Sequence, residues 1–171
     1  MIRTLWTSII FVVLALAVSG CFKSDVPFIS ADEADFPFKR LTYEIVGEED
    51  RVTLVRVGDA YAAPEEQGES TLLMKALGDD YFLLQAQIAD SERPFFLYAV
   101  ARLEADRKSA EIIKPFAELP DRELARQNKH GFQVCPEDEQ MICLSDLQSF
   151  IDYAVSSTTE EKKRIRILSM D

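Results

Sequence analysis

Between Leu41 and Lys114 the chain repeatedly places apolar side chains at alternate positions, then breaks the pattern at a turn. Alternation with a period of two marks a strand with one face buried. It predicts strands over Leu41–Val46, Arg51–Val57, Ser70–Leu77, Tyr81–Ile88, Phe95–Leu103 and Ser109–Lys114. Val, Ile, Thr, Tyr and Phe dominate several of these, residue types that suit a pleated surface. The breaks carry turn chemistry at Gly47-Glu48-Glu49-Asp50, Gly58-Asp59, Gly78-Asp79-Asp80 and Glu104-Ala105-Asp106-Arg107, with a longer loop from Pro64 to Glu69. In Arg51–Val57 both alternating sets are rich in apolar residues, which implies cover on both faces. Short strands at this regular spacing form an antiparallel meander. A sheet of this length must curl or close to limit its edges.

After Pro115 the period changes. Asp121–Lys129, between Pro120 and Gly131, reads as a short helix. Ser145-Asp146-Leu147-Gln148 has the spacing of a capping box, and Leu147, Phe150, Ile151 and Ala154 share one helical face that packs on the sheet. A last strand, Lys162–Leu168, sets Ile165 and Ile167 against Arg164 and Arg166. Its basic side chains read as guards on a terminal edge. Ahead of the strands, Pro27-Phe28 and Pro37-Phe38 flank a segment in which Ser30 and Glu33 fit one helical turn. Residues 22–38 are expected to be a tether whose Phe rings dock on the domain edge. The fold class is α+β, mainly β: a curved antiparallel meander sheet with one or two packed helices near the C-terminus.

The first 20 residues follow different rules. Arg3 precedes an unbroken apolar run from Ile9 to Val18, and small residues then lead to Cys21. A basic start, a short apolar stretch and small residues at a cut site describe a secretory signal. From Leu5 to Val18 there are 14 residues, with Thr7 and Ser8 inside, short of the roughly 20 that span a bilayer. The competing reading, an uncleaved anchor helix, must draft in Thr4 and Phe22. Val18-Ser19-Gly20-Cys21 resembles the lipobox of bacterial lipoproteins. The resemblance covers the leader alone. It implies cleavage before Cys21, a diacylglyceryl group on its thiol and membrane attachment through acyl chains. It divides the chain into a signal peptide (1–20), a lipidated Cys with tether (21–38) and one periplasm-exposed domain (39–171). In enteric bacteria an Asp after the lipidated Cys retains such proteins in the inner membrane. Here Phe22 and Lys23 follow, so the resemblance implies the outer membrane, facing the periplasm.

Composition narrows the partners. Removing residues 1–20 takes away Arg3 and leaves a net charge of −12, a surface that repels phosphate backbones and anionic headgroups. Nucleic acid is therefore not an expected partner; a membrane reached through the lipid and an envelope protein are. With Cys21 assigned to lipid, Cys135 and Cys143 remain as an even pair in an oxidising compartment, which predicts a disulfide. Two metal thiolates are the competing reading, but the chain has one His and no C-x-x-C.

The search for chemistry returns little. His130 stands at a predicted helix end, where the dipole favours a cation, and no G-x-S-x-G supplies a nucleophile. Acidic pairs at Glu48-Glu49-Asp50, Glu65-Glu66, Asp79-Asp80 and Glu137-Asp138-Glu139 fall in turns without EF-hand spacing. No catalytic residue, metal ligand or cofactor is expected. The sequence points to a non-catalytic binding or assembly module on the envelope. Two alternatives stand. One is a curved sheet enclosing an apolar ligand, lipocalin-like in logic but without a lipocalin motif. The other is an envelope hydrolase with two convergent carboxylates.

Overall fold

The structure is a computed structural model describing residues 21–48, 51–64, 70–89, 94–113, 119–156 and 162–171. The leader, Glu49-Asp50, Glu65–Glu69 and Lys114 lie outside these residues. The meander is present: β2 (Arg40–Ile45), β3 (Arg51–Val57), β4 (Ala60–Ala62), β5 (Ser70–Gly78), β6 (Tyr81–Ile88), β7 (Phe95–Leu103) and β8 (Ser109–Ile113) each pair antiparallel with the next. The last strand, β11 (Lys162–Met170), inserts between β8 and β2, antiparallel to both. The eight strands therefore close into a barrel. Closure is the more specific of the two outcomes expected, curling or closing, and it pairs the edges that an open sheet would leave.

β11 is consequently not an edge strand, and its basic residues have another role. Ile165 and Ile167 face inward beside Ala110 and Tyr43. Arg166 meets Glu44 at 2.7 Å, Arg164 meets Glu111 at 3.7 Å and Lys163 meets Glu48 at 2.8 Å. These are ion pairs with residues of the β2 and β8 side, each adding little where exposed. β3 is covered more fully on its inner face. Val52 and Leu54 point inward, and on the outer face Thr53 and Val55 are half-buried while Val57 is 47% exposed.

A second layer covers one side of the wall. β1 (Phe22–Ser24) pairs with the first half of β7, and in parallel with β10 (Ile142–Leu144), which pairs with β9 (Phe132–Val134). Two helices, α1 (Leu119–Arg126) and α2 (Leu147–Ser156), complete the layer. Their shared core joins the outward side chains Leu83, Tyr98, Val100 and Ile113 to Phe22, Phe132 and Phe150. The Phe22 ring lies 4.8 Å from Phe150 and 5.2 Å from Phe132, centroid to centroid. Along α2, Phe150 and Ala154 are fully buried, with Leu147 and Ile151 partly so, as the helical face requires.

Residues 22–38 are thus built into the domain and do not form a free tether. Phe22 is 0% exposed. Next, the amides of Phe28 and Ile29 both donate to Gln85 Oε1 at 2.8 Å, and Gln85 Nε2 donates to Ile29 O. This buried glutamine, its polar atoms paired, pins the segment to β6. A single 3-10 turn, Ala31–Glu33, follows, with the Glu33 carboxylate accepting from Ser30 Oγ at 2.7 Å. β4 meets β5 only at Tyr61 and Leu72. Beyond that point the Asp35 amide donates to Met74 O, and Asp35 Oδ2 accepts from the Ala76 amide, both at 2.7 Å. The lead-in segment therefore supplies the edge bonds that the short β4 cannot. Phe38 stacks on Tyr61 at 4.4 Å, and Tyr61 Oη donates to Phe38 O.

The disulfide between Cys135 and Cys143 is present, with Cα atoms 5.0 Å apart, within the range a bridge requires. It closes the loop of the β9–β10 hairpin ahead of α2. The cap of α2 sits one residue later than the sequence spacing implies. Asp146 Oδ1 accepts from the Gln148 and Ser149 amides, while Ser145 Oγ donates to Gly131 O. Gly131 is required here: its φ is +69°, and a Cβ would stand 2.8 Å from Asp146 Cβ. α1 ends at Arg126 rather than Lys129. Asn128 and His130 already turn into left-handed backbone.

Candidate functional site: the barrel interior

Residues directly opposite on paired strands point to the same side of a sheet, so the registers define the interior. Leu41 faces Leu54, Met74 faces Leu84, Phe82 faces Ala101, and Ala110 faces both Leu103 and Ile165. Large side chains stand opposite small ones, and Ala101 and Ala110 leave room that larger residues would fill. The result is an apolar cavity of about 200 Å³. Its walls include Leu72, Met74, Phe82, Leu84 and Ile165. Asp80 from the β5–β6 turn, Arg107 from the β7–β8 turn and Met170 near the end of β11 border it at one end. Pro37 and Phe38 of the lead-in segment also line it.

One hydroxyl interrupts the apolar surface. Tyr43, in the middle of β2, lines the cavity. Burial pushes its phenol up to about 12, so it remains a protonated donor at neutral pH. An engineered apolar cavity of similar size in another protein stays dry and binds benzene or xenon. Pockets for drug-sized ligands begin near 300 Å³. This interior therefore suits one small, largely apolar molecule.

The residues singled out in the sequence lie elsewhere. Cys21 directly precedes β1, 2% exposed, with its carbonyl accepting from the Ile142 amide at 2.9 Å. Burial pushes its thiol up to about 12. His130 packs its ring 5.2 Å from Tyr153, and the Tyr153 hydroxyl donates to buried Asp121 in a short hydrogen bond. These groups belong to the outer layer and do not line the cavity. Asp79 and Asp80 form the left-handed turn at the rim, and Glu137 of the disulfide ring lies 3.6 Å from Lys23. Among the described residues no cluster of three His, Cys, Asp or Glu side chains could hold a metal ion.

The sequence offered an enclosed apolar site only as an alternative and named no residue as lining it. The signal of the cavity was the alanines at alternate positions of β7 and β8, which a pattern of apolar and polar residues scores as ordinary core. No protein-family model, no curated protein and no solved structure matches the chain.

Proposed function

We propose that this protein is a non-catalytic binding protein that holds one small apolar molecule inside its barrel. The 200 Å³ apolar cavity carries the reading. It favours a ligand-holding barrel over a pure assembly module, because a domain that serves only as a docking surface gains nothing from unfilled core. The test is thermal unfolding of the purified domain with small aromatic hydrocarbons. A ligand at a hundred times its Kd stabilises by about 2.7 kcal/mol. Leu84→Trp, which fills the space, should abolish the shift while the fold is retained. Absence of any shift in the wild-type domain overturns the reading.

The lipobox supports a second element, an acyl anchor on Cys21 that places the domain on the envelope, with the outer membrane as its destination. β1 begins at the next residue, so an anchored domain rests against its bilayer with no spacer, and any protein partner lies at that surface. The Cys21 side chain must then leave its buried position to reach lipid. Intact mass of the membrane form tests the anchor: a chain retaining residues 1–20 and carrying no lipid overturns it. Separation of inner and outer membranes tests the destination.

A further inference from the structure

We infer that the barrel selects apolar ligands bearing one neutral hydrogen-bond acceptor, such as a ketone, aldehyde or ester carbonyl, which the Tyr43 hydroxyl binds. The inference rests on the barrel reading above and names the ligand class.

Tyr43 is held from both sides. Its backbone pairs with Val52 on β3 and Ile167 on β11, so its side chain enters the barrel among Leu41, Leu54 and Ile165. Among the described residues nothing hydrogen-bonds its hydroxyl. The two fully buried tyrosines, Tyr61 and Tyr98, are treated differently. Tyr61 Oη donates to Phe38 O at 2.8 Å, and Tyr98 Oη donates to Gln85 Oε1 at 2.9 Å. Fully buried tyrosines ordinarily find such a partner. Tyr43 is half-buried and lines the cavity, so its unpartnered phenol is a donor within reach of an acceptor bound there.

The charge of that acceptor follows from the surroundings. Asp80 and Arg107 are both exposed at the rim, whereas the wall around Tyr43 is aliphatic. A carboxylate at that depth would trade its hydration for a single hydrogen bond, which is unfavourable. A neutral carbonyl loses less on leaving water and regains the bond.

The experiment compares ethylbenzene with acetophenone, probes of similar size that differ by a carbonyl, on wild type and Tyr43→Phe. Tyr43→Phe should weaken acetophenone about 3- to 10-fold, the range of one net hydrogen bond, and change ethylbenzene less than twofold. If both probes bind and respond alike, the Tyr43 assignment is wrong while the barrel reading stands. If neither binds the wild-type domain, both fall. The infrared carbonyl stretch of acetophenone bound to wild type gives an answer independent of the variant's folding. A shift to lower frequency, as for a hydrogen-bonded ketone, supports the assignment; a stretch at its hydrocarbon-solvent position overturns it.

Discussion

β6 and β7 carry one apolar surface on each side, and the two are finished differently. On the outer side Leu83, Tyr98 and Val100 are at most 2% exposed, closed over by Phe22, Phe132 and Phe150. On the inner side Phe82, Leu84 and Ala101 border empty space. The same two strands thus contribute to a filled core and to a hollow one. The outer layer recruits aromatic rings from β1, β9 and α2, segments distant in sequence, to achieve close packing. The inner face meets mainly other strands of the barrel, with Pro37 and Phe38 at one end, and the strand spacing is set by closure and cannot contract around small side chains. The outer layer supplies stability, and the interior supplies room.

Substitutions can break this contrast. Phe22→Ala should have the largest effect, about 3–5 kcal/mol, the range for emptying a packed aromatic site. Leu84→Ala, beside an existing void with fewer neighbours to lose, should cost about 2 kcal/mol. Urea midpoints of the two variants measure the difference. Equal shifts would show that the two sides are packed alike, and a negligible shift for Phe22→Ala would restore the tether.

The Cys135–Cys143 bridge comes next. Replacing both by Ser should destabilise by about 2–3 kcal/mol on the loop-entropy account, and reductant should reproduce the loss in the wild-type protein.

Enlarging residues sharpens the contrast. Ala154→Leu forces a branched side chain into the outer core and should cost about 1–3 kcal/mol. Ala101→Leu extends into the cavity and should be neutral or stabilising by up to about 2 kcal/mol, while excluding the hydrocarbon probe. A destabilised Ala101→Leu that still binds the probe would mean that the cavity does not reach that wall.

The smallest expected effect is on the lead-in segment. The Glu33 carboxylate is held down to about 2, first by the Ser30 side chain and then by Lys75. Its folded pKa lies below the unfolded value of about 4.3. The contribution is therefore complete above that value and is lost as pH falls toward 2. Exchange of the Ser30 amide, which donates to Glu33 Oε2 at 3.2 Å, corrected for its intrinsic pH dependence, should accelerate in that window. Glu33→Gln should remove the pH dependence.

Legibility followed element length. The long strands β2, β3, β5, β6, β7, β8 and β11 each run through several alternations, enough to fix their period, and α2 shows four apolar positions on one face. β1, β4, β9 and β10 have three residues each, too few for a period to register, and Phe22-Lys23-Ser24 reads equally well as a loop. Closure was legible only as one of two outcomes, curling or closing, because the choice depends on β11 finding both β2 and β8, a pairing that no local pattern encodes. The disulfide was legible by counting cysteines. The cavity stood only as an alternative reading, since Ala101 and Ala110 register as apolar whether or not their neighbours fill the space around them. Tyr43 likewise reads as one more inward aromatic until its hydroxyl is traced.

The placement of β11 also sets an order of events in time. It joins β2 to β8, with Ile165 opposite Ile45 on one side and Ala110 on the other, and the Asp171 amide donates to Arg40 O. Until this strand arrives, β2 and β8 are two exposed edges and the interior is open to water. No N-terminal fragment, however long, can form the closed barrel while β11 is missing. The pairings that complete the fold join early strands to the last one, and distant contacts of this kind form slowly. During synthesis the chain must remain unfinished until its final strand is free, with two edges able to pair with other chains. Truncations within 162–170 should therefore act on solubility and folding yield before they act on binding.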